Sequence, residues 1–315
     1  MSINEPVFLA YSIIYAIALA LGIWKRKTFP LQDSIMVTVI VGTGFTTLVH
    51  LLAPAFPGEA ATTGTSPAQM LFTLLYLALV AALLVFAKPL PKSWKGDFMK
   101  ERLGAGIYKL IVFVAAPLIA LRMSWGVSWE NVGFSAPNLG GQLLSAVLLI
   151  LVFGGFNLLV GSGAAPVRAR RFSAWQVGLG FGIAFLWNVL EVGLVEEFFF
   201  RAFLQARLTD FLGSPLSGIC AASLLFGLAH APGIYLRRGE QHGVLGEKPS
   251  LLNAVLYSIL ALSPTGWFIG LLYWRTQSLL APILVHAAVD AAAHIPLFIE
   301  GLKLAGKGSV FPPKT

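Results

Sequence analysis

Charge is scarce in this chain: Asp, Glu, Lys and Arg make up 11% of its 315 residues, where a soluble domain carries about 25%. Most of its surface must therefore face something other than water. There is one cysteine, Cys220 in the apolar run Gly218-Ile219-Cys220-Ala221-Ala222, which excludes an intrachain disulfide and any multi-cysteine metal site. Met1 to Pro6 carries no basic residue, and the cluster Lys25-Arg26-Lys27 follows the first apolar run instead of preceding it. A cleaved secretory leader has the opposite charge order, so the run reads as a retained span. No internal repeat and no low-complexity segment is visible.

What is present is apolar. Hydrophobic residues make up 57% and the mean hydropathy is +0.79. Apolar runs near the length that crosses a bilayer recur over 7–24, 31–53, 68–87, 107–121, 142–160, 175–195, 216–230, 251–273 and 279–299. The fourth is short, and the last few are interrupted by Pro264, Pro282 and Pro296. The expectation is an all-α, polytopic integral membrane bundle of about eight transmembrane helices. Its location is expected to be multi-pass in a bacterial cell (inner) membrane.

Net charge is +8 and the isoelectric point about 9.7. In a soluble protein that balance raises nucleic acid as a partner. Here the basic residues cluster in short loops between spans, which fits anionic lipid headgroups and argues against nucleic acid. Lys25–Lys27, the group Lys88, Lys92, Lys95, Lys100 and Arg102, and the group Arg168, Arg170 and Arg171 alternate with the segments 54–67 and 123–141, which have no lysine or arginine. That alternation places the N-terminus outside and the basic loops in the cytoplasm. Beyond Arg171 the pattern assigns no side. The segment 231–250, with Pro232, Gly233, Arg237, Arg238 and His242, reads as a basic interfacial loop in preference to a gate.

Ionisable groups are almost absent from the spans up to about residue 170, His50 excepted, and enter apolar segments after it. The division expected is 1–170 as scaffold, 171–300 as functional core and 301–315 as tail. A charge at the bilayer centre costs roughly 2.5–3.5 kcal/mol on insertion scales, so such groups are paired or have a task. In Glu196-Glu197-Phe198-Phe199-Phe200-Arg201, Glu197 and Arg201 share a helix face one turn apart. Glu196 points about 100° away without a cation on its own helix. It is a candidate general base; the alternative is a structural acid–base cluster closing a helix end.

Phe226 and His230 share a face at i, i+4. Gly227 and Ala229 beside them admit a neighbouring helix closely. Alone, this pattern reads more simply as one histidine hydrogen-bonded to a carbonyl. His286, Asp290 and His294 stand at i, i+4 and i+8 and form one stripe among alanines; Asp290 is placed to orient His286 and fix its tautomer. Together the segments supply a carboxylate to take a proton from water, His230 to hold that water, and His286 with Asp290 to face the oxyanion of a cleaved amide.

Glu-Glu-x-x-x-Arg, Phe-x-x-x-His and His-x-x-x-Asp, in this order on separate apolar segments over about 172–299, resemble the CAAX protease and bacteriocin-processing family, the type II CAAX prenyl endopeptidases or glutamic-type intramembrane proteases. The resemblance implies a helical bundle with a conical active-site cavity in the C-terminal half. It implies Glu196, His230, His286 and Asp290 as catalytic residues, Glu197, Arg201 and Phe226 as supporting ones, and no resident cofactor. The expected activity is endoproteolysis of a membrane-associated peptide or protein, of CAAX type or in peptide or sorting-signal processing. Three alternatives stand beside it: a zinc protease using Glu196, His230 and His286; a transporter with a proton relay; and a peptide-binding immunity protein.

Overall fold

The computed structural model describes residues 5–55, 64–86, 94–236, 245–246 and 248–302. Among them nine helices are long and apolar enough to cross a membrane. They are α1 Pro6–Trp24, α2 Leu31–Leu52, α3 Pro67–Phe86, α4 Phe98–Ser124, α5 Leu139–Val160, α6 Ala174–Leu212, α7 Pro215–Leu236, α8 Leu251–Thr276 and α9 Leu280–Gly301. No strand occurs among the described residues. Helices satisfy every backbone group within one segment, the condition a bilayer imposes. The chain is an all-α, multi-pass integral membrane protein.

Several boundaries depart from the sequence expectation for identifiable reasons. α4 begins nine residues before the apolar run, at an N-cap where the Asp97 side chain accepts from the Lys100 backbone N–H at 3.1 Å; its first turns are charged and escape a hydropathy reading. α6 starts on a capping box formed by Ser173 and Gln176 and does not stop at Val195. No glycine able to end it by a left-handed turn is used until Gly213, at φ +69°, followed by Pro215. Glu196 and Glu197 therefore lie mid-helix, and the reading of a cluster closing a helix end is overturned. At about 1.5 Å per residue, its 39 residues reach roughly twice the thickness of a hydrocarbon core.

Pro264 does not break α8. It falls at the start of an α-helical stretch, where a missing N–H costs least, just after a looser π-wound stretch, Ser258–Leu262. Pro232 and Pro296 sit inside α7 and α9. Residues 231–236 belong to α7 and are not loop; Arg237, Arg238 and His242 lie outside the described residues, as do Lys88, Lys92 and the tail from 303 onward.

Contacts between helix ends sort the connections onto two faces. On one, Ser214 Oγ donates to Glu5 at 2.5 Å, Thr65 Oγ1 to Asp210 at 3.3 Å, Leu279 N to Gly133 O at 2.9 Å and Arg275 to Ala53 O at 3.0 Å. On the other, Asn253 Nδ2 donates to Thr28 O at 2.7 Å, and Phe98 packs against Gly301. Alternating crossings of the nine described helices put the end of α7 and the start of α8 on the same face as Lys25–Lys27, an assignment loop charge alone did not make. α8 and α9 occupy the interior: α9 lies against α5 and α6, and α8 lies against α2 and α7. Two close approaches need glycine. A Cβ on Gly227 would stand 2.3 Å from Ser258 O, and one on Gly193 would stand 2.6 Å from Ile283 O, so α7 meets α8, and α6 meets α9, backbone to backbone.

Candidate active site

Three helices bring the three motifs together. α6 presents Glu196 and Glu197 from the short α-helical segment Val195–Glu197, between two π-wound stretches, Val189–Leu194 and Phe198–Gln205. Loose winding of this kind recurs at functional sites, although here it also occurs in α2, α4 and α8. α7 brings Phe226 and His230, and α9 brings His286.

Glu197 is fully buried and held from both sides: Arg201 Nε donates to its Oε2 at 2.8 Å, and His286 Nδ1 to its Oε1 at 2.5 Å. The first contact is the i, i+4 pair the sequence suggested. The second reassigns a role. His286 is oriented by Glu197, 89 positions away in the chain, and not by Asp290, which makes no hydrogen bond among the described residues. Because a carboxylate only accepts, the bond fixes a proton on Nδ1 of His286 and turns Nε2 toward Glu196. His230 is fixed likewise: its Nδ1 donates to Phe226 O at 2.8 Å, which again leaves Nε2 facing the site.

The two Nε2 atoms converge on one oxygen. Glu196 Oε2 lies 3.9 Å from His230 Nε2 and 4.0 Å from His286 Nε2, and it is buried without a hydrogen-bond partner among the described residues. These gaps exceed a direct hydrogen bond, so the three groups face one another without bonding directly. Phe226 is the packing centre: its ring lies 5.0 Å from that of His230 and 6.0 Å from that of His286, and the Arg201 guanidinium stands 5.2 Å over it. The His230 side chain is 35% exposed and that of Glu196 20%, so the site is open on the α7 side and closed on the Glu197 side.

His294 does not join this group. Its Nδ1 lies 3.2 Å from Asn188 Nδ2 on α6, so the stripe on α9 is divided between two neighbourhoods. Zinc-bound nitrogen and oxygen at 2.0–2.2 Å in a tetrahedron lie roughly 3.3 Å apart, nearer than Glu196 lies to either histidine. Among the described residues no group of three His, Cys, Asp or Glu is disposed to hold a metal ion. A groove of about 410 Å³ between α1, α2 and α8 is lined by residues including Tyr11, Tyr15, Thr38 and Trp267 and contains none of the candidate site residues.

One polar neighbourhood went unread in the sequence. Glu191, 4% exposed, receives Arg102 Nη1 and Lys109 Nζ, each at 3.4 Å, and the Trp187 indole N–H. The signal available was an acid inside an apolar run together with two cations seven residues apart on one face of α4.

Residues 178–292 match the family model described as "Type II CAAX prenyl endopeptidase Rce1-like". No curated protein and no solved structure matches the chain.

Proposed function

We propose, with residues 178–292 belonging to the Rce1-like type II CAAX prenyl endopeptidase family, that this membrane peptidase cuts a membrane-associated peptide with a water activated by Glu196. The observation that carries the mechanism is the convergence of two histidine Nε2 atoms on the unpartnered Glu196 Oε2. The water occupies the gap between Glu196 and His230, giving one hydrogen to each. Glu196 takes a proton from it, and the oxygen bonds to the carbonyl carbon of the scissile amide. The carbonyl π pair moves to oxygen, and the oxyanion is received by His286 Nε2–H. The proton on Glu196 passes to the amide nitrogen, the C–N bond breaks, and a carboxyl product and a free amine leave.

His286 must act as an imidazolium in that step, since its Nδ1 proton is already given to Glu197. Charge balance supports this form. Glu196, Glu197, Arg201 and a protonated His286 sum to zero, and the sum is unchanged when Glu196 becomes protonated as the oxyanion appears. Burying a balanced set avoids the several kcal/mol that each uncompensated ion costs, and a donor already in place gains most at the oxyanion. Asp290 lies one turn beyond His286 and contributes to the field of the site. No step requires a metal. The membrane is taken to be the cell membrane of a bacterium.

The test compares peptide termini produced in membranes holding wild type or Glu196→Gln, each with and without chelator. Loss of about 10²–10⁴-fold in cleavage at unchanged expression is the expected size for removing a general base, with chelator having no effect. Unchanged termini in Glu196→Gln would make the chain a binding or transport protein, and chelator-sensitive cleavage would restore the zinc reading.

A further inference from the structure

α8 has 67% of its most apolar stretch buried in the protein, yet one turn of it faces the groove between α1, α2 and α8. Pro264 and Trp267 form that wall, opposite Tyr11, Tyr15 and Leu19 of α1 and Thr38 of α2. The hydroxyls there are already engaged. Tyr11 Oη lies 3.1 Å from Ser263 Oγ. Pro264 has no N–H, so the Leu260 carbonyl is left without its usual i+4 donor, and Tyr15 and Thr38 donate to it at 3.1 and 2.7 Å. What the groove presents is therefore almost wholly apolar. Only 11% of α1 and 17% of α2 is buried over the same kind of stretch, so the groove opens on acyl chains. A second cavity, about 530 Å³, lies at the turn joining these two helices, where Lys25, Arg26 and Lys27 line it beside Trp24. No salt bridge among the described residues engages the three cations. Loop charge puts this turn on the cytoplasmic face.

Depth along α1 selects the occupant. The helix is regular α throughout Pro6–Trp24. The groove follows it from Phe8 to Leu19, about 16–17 Å at 1.5 Å per residue, and one leaflet's hydrocarbon is about 15 Å deep. Leu19 to Ile23, where the basic cavity begins, adds about 6 Å, the depth of one leaflet's interfacial layer. We infer that α1, α2 and α8 bind one anionic phospholipid of the cytoplasmic leaflet, with its phosphate on Lys25–Lys27 and one acyl chain along the groove. The chain matches the apolar wall, and the negative headgroup matches three cations that have no partner in the protein. The bound chain also lies behind the candidate site. The turn of α8 that carries Pro264 and Trp267 carries Gly266 between them, where a Cβ would stand 3.1 Å from the Phe226 ring and 3.0 Å from Ser223 Cα. α8 is thus the single layer between the groove and Phe226, and a filled groove braces it against α7.

The experiment uses the full-length protein, stripped of lipid in detergent and then given phosphatidylglycerol or phosphatidylcholine. The two lipids have the same acyl chains, each with a photoreactive group in the chain. Wild type is expected to be labelled on α1, α2 and α8 at the groove, about 5-fold more or better by phosphatidylglycerol, as three cations at an anionic headgroup imply. The same lipid should raise Tm by a few degrees, because a ligand of the folded state stabilises it in proportion to occupancy. Gly42 lines the groove, and its Cβ position lies 3.7 Å from Pro264 Cβ, so Gly42→Phe plugs the site and should lose both the label and the Tm gain. Lys25→Gln with Arg26→Gln and Lys27→Gln changes no buried position and should be labelled equally by the two lipids; it carries the test alone if Gly42→Phe does not fold. Equal labelling of wild type by both lipids overturns the inference. Label spread evenly over the lipid-facing helices, with none concentrated at the groove, also overturns it. So would crosslinks between two copies of the chain through α1 and α2 that exclude the lipid, since they would assign the groove to a dimer. Binding and Tm are read without cleavage, so each of these outcomes leaves the hydrolase reading where it stands.

Discussion

α1 and α8 are both apolar and both long enough to span, yet they occupy opposite environments. In its most apolar stretch α1 has mean hydropathy 2.2 and 11% of its residues buried in the protein; α8 has 1.7 and 67%, and α9 1.6 and 61%. The most enclosed helices are the less hydropathic ones. In water the relation runs the other way, because burial selects for apolar side chains. In a bilayer, lipid is as apolar as leucine, so contact with lipid is what demands an apolar surface, and enclosure by other helices is what permits polar groups. α9 carries His286, Asp290 and His294 because α5 and α6 shield it. The outer helices α1 to α3 carry almost none.

That contrast is broken most severely at the Glu197 pair. Arg201→Met leaves Glu197 without its main cation at a fully buried position, and the expected loss is about 3–5 kcal/mol, the range for breaking a buried ion pair from one side. Thermal unfolding in detergent should show a large drop in Tm. Glu196→Gln, one residue before Glu197 but joined to no cation on its own helix, should unfold within a few degrees of wild type while losing cleavage. If the two variants fell equally in stability, the division of labour between the adjacent acids would be wrong. Gly227→Val comes next: its Cβ would strike the Ser258 carbonyl, a backbone atom that cannot rotate away, at a cost of about 1–3 kcal/mol as overpacking.

The three motifs were legible because ionisable groups inside apolar runs are costly enough to be rare, and because Glu197 and Arg201 are one turn apart on one helix. The partner of His286 was not. Within α9 the spacing offered Asp290, and a within-helix partner is always available to a reading by periodicity. The partner the fold supplies, Glu197, is set by how α6 and α9 meet at Gly193, which no local pattern encodes. The Glu191 cluster was hidden for a related reason: Arg102 sits in charged opening turns that hydropathy assigns to a loop, and Lys109, inside the apolar run, meets Glu191 only through the packing of α4 on α6. The length of α6 was readable in principle from the first stop signal, Gly213 and Pro215, but the acids at 196 and 197 suggested a helix end where the chain only changes its winding.

The remaining predictions probe the outer half, where effects are small. Leu75→Ala on α3, 61% exposed toward lipid, should change stability by no more than about 0.5 kcal/mol, as surface positions do; a larger loss would mean that α3 is covered by protein. Glu5 tests the rim. It accepts from Ser214 Oγ at 2.5 Å and Ser217 Oγ at 2.8 Å, and the first of these bonds, then the second, holds its carboxyl below the usual carboxylate range. A carboxyl lowered in the folded state stabilises it only while ionised. The contribution is whole at neutral pH, declines as pH falls through the ordinary glutamate range, and is gone once pH passes below the folded-state value. Glu5→Gln should therefore have a slightly lower Tm than wild type at pH 7, and the gap should narrow as pH falls below the ordinary glutamate range. A gap that persists unchanged into acid would show that the two serines hold Glu5 by shape alone, and that the tie between the N-terminus and the α6–α7 turn is not electrostatic.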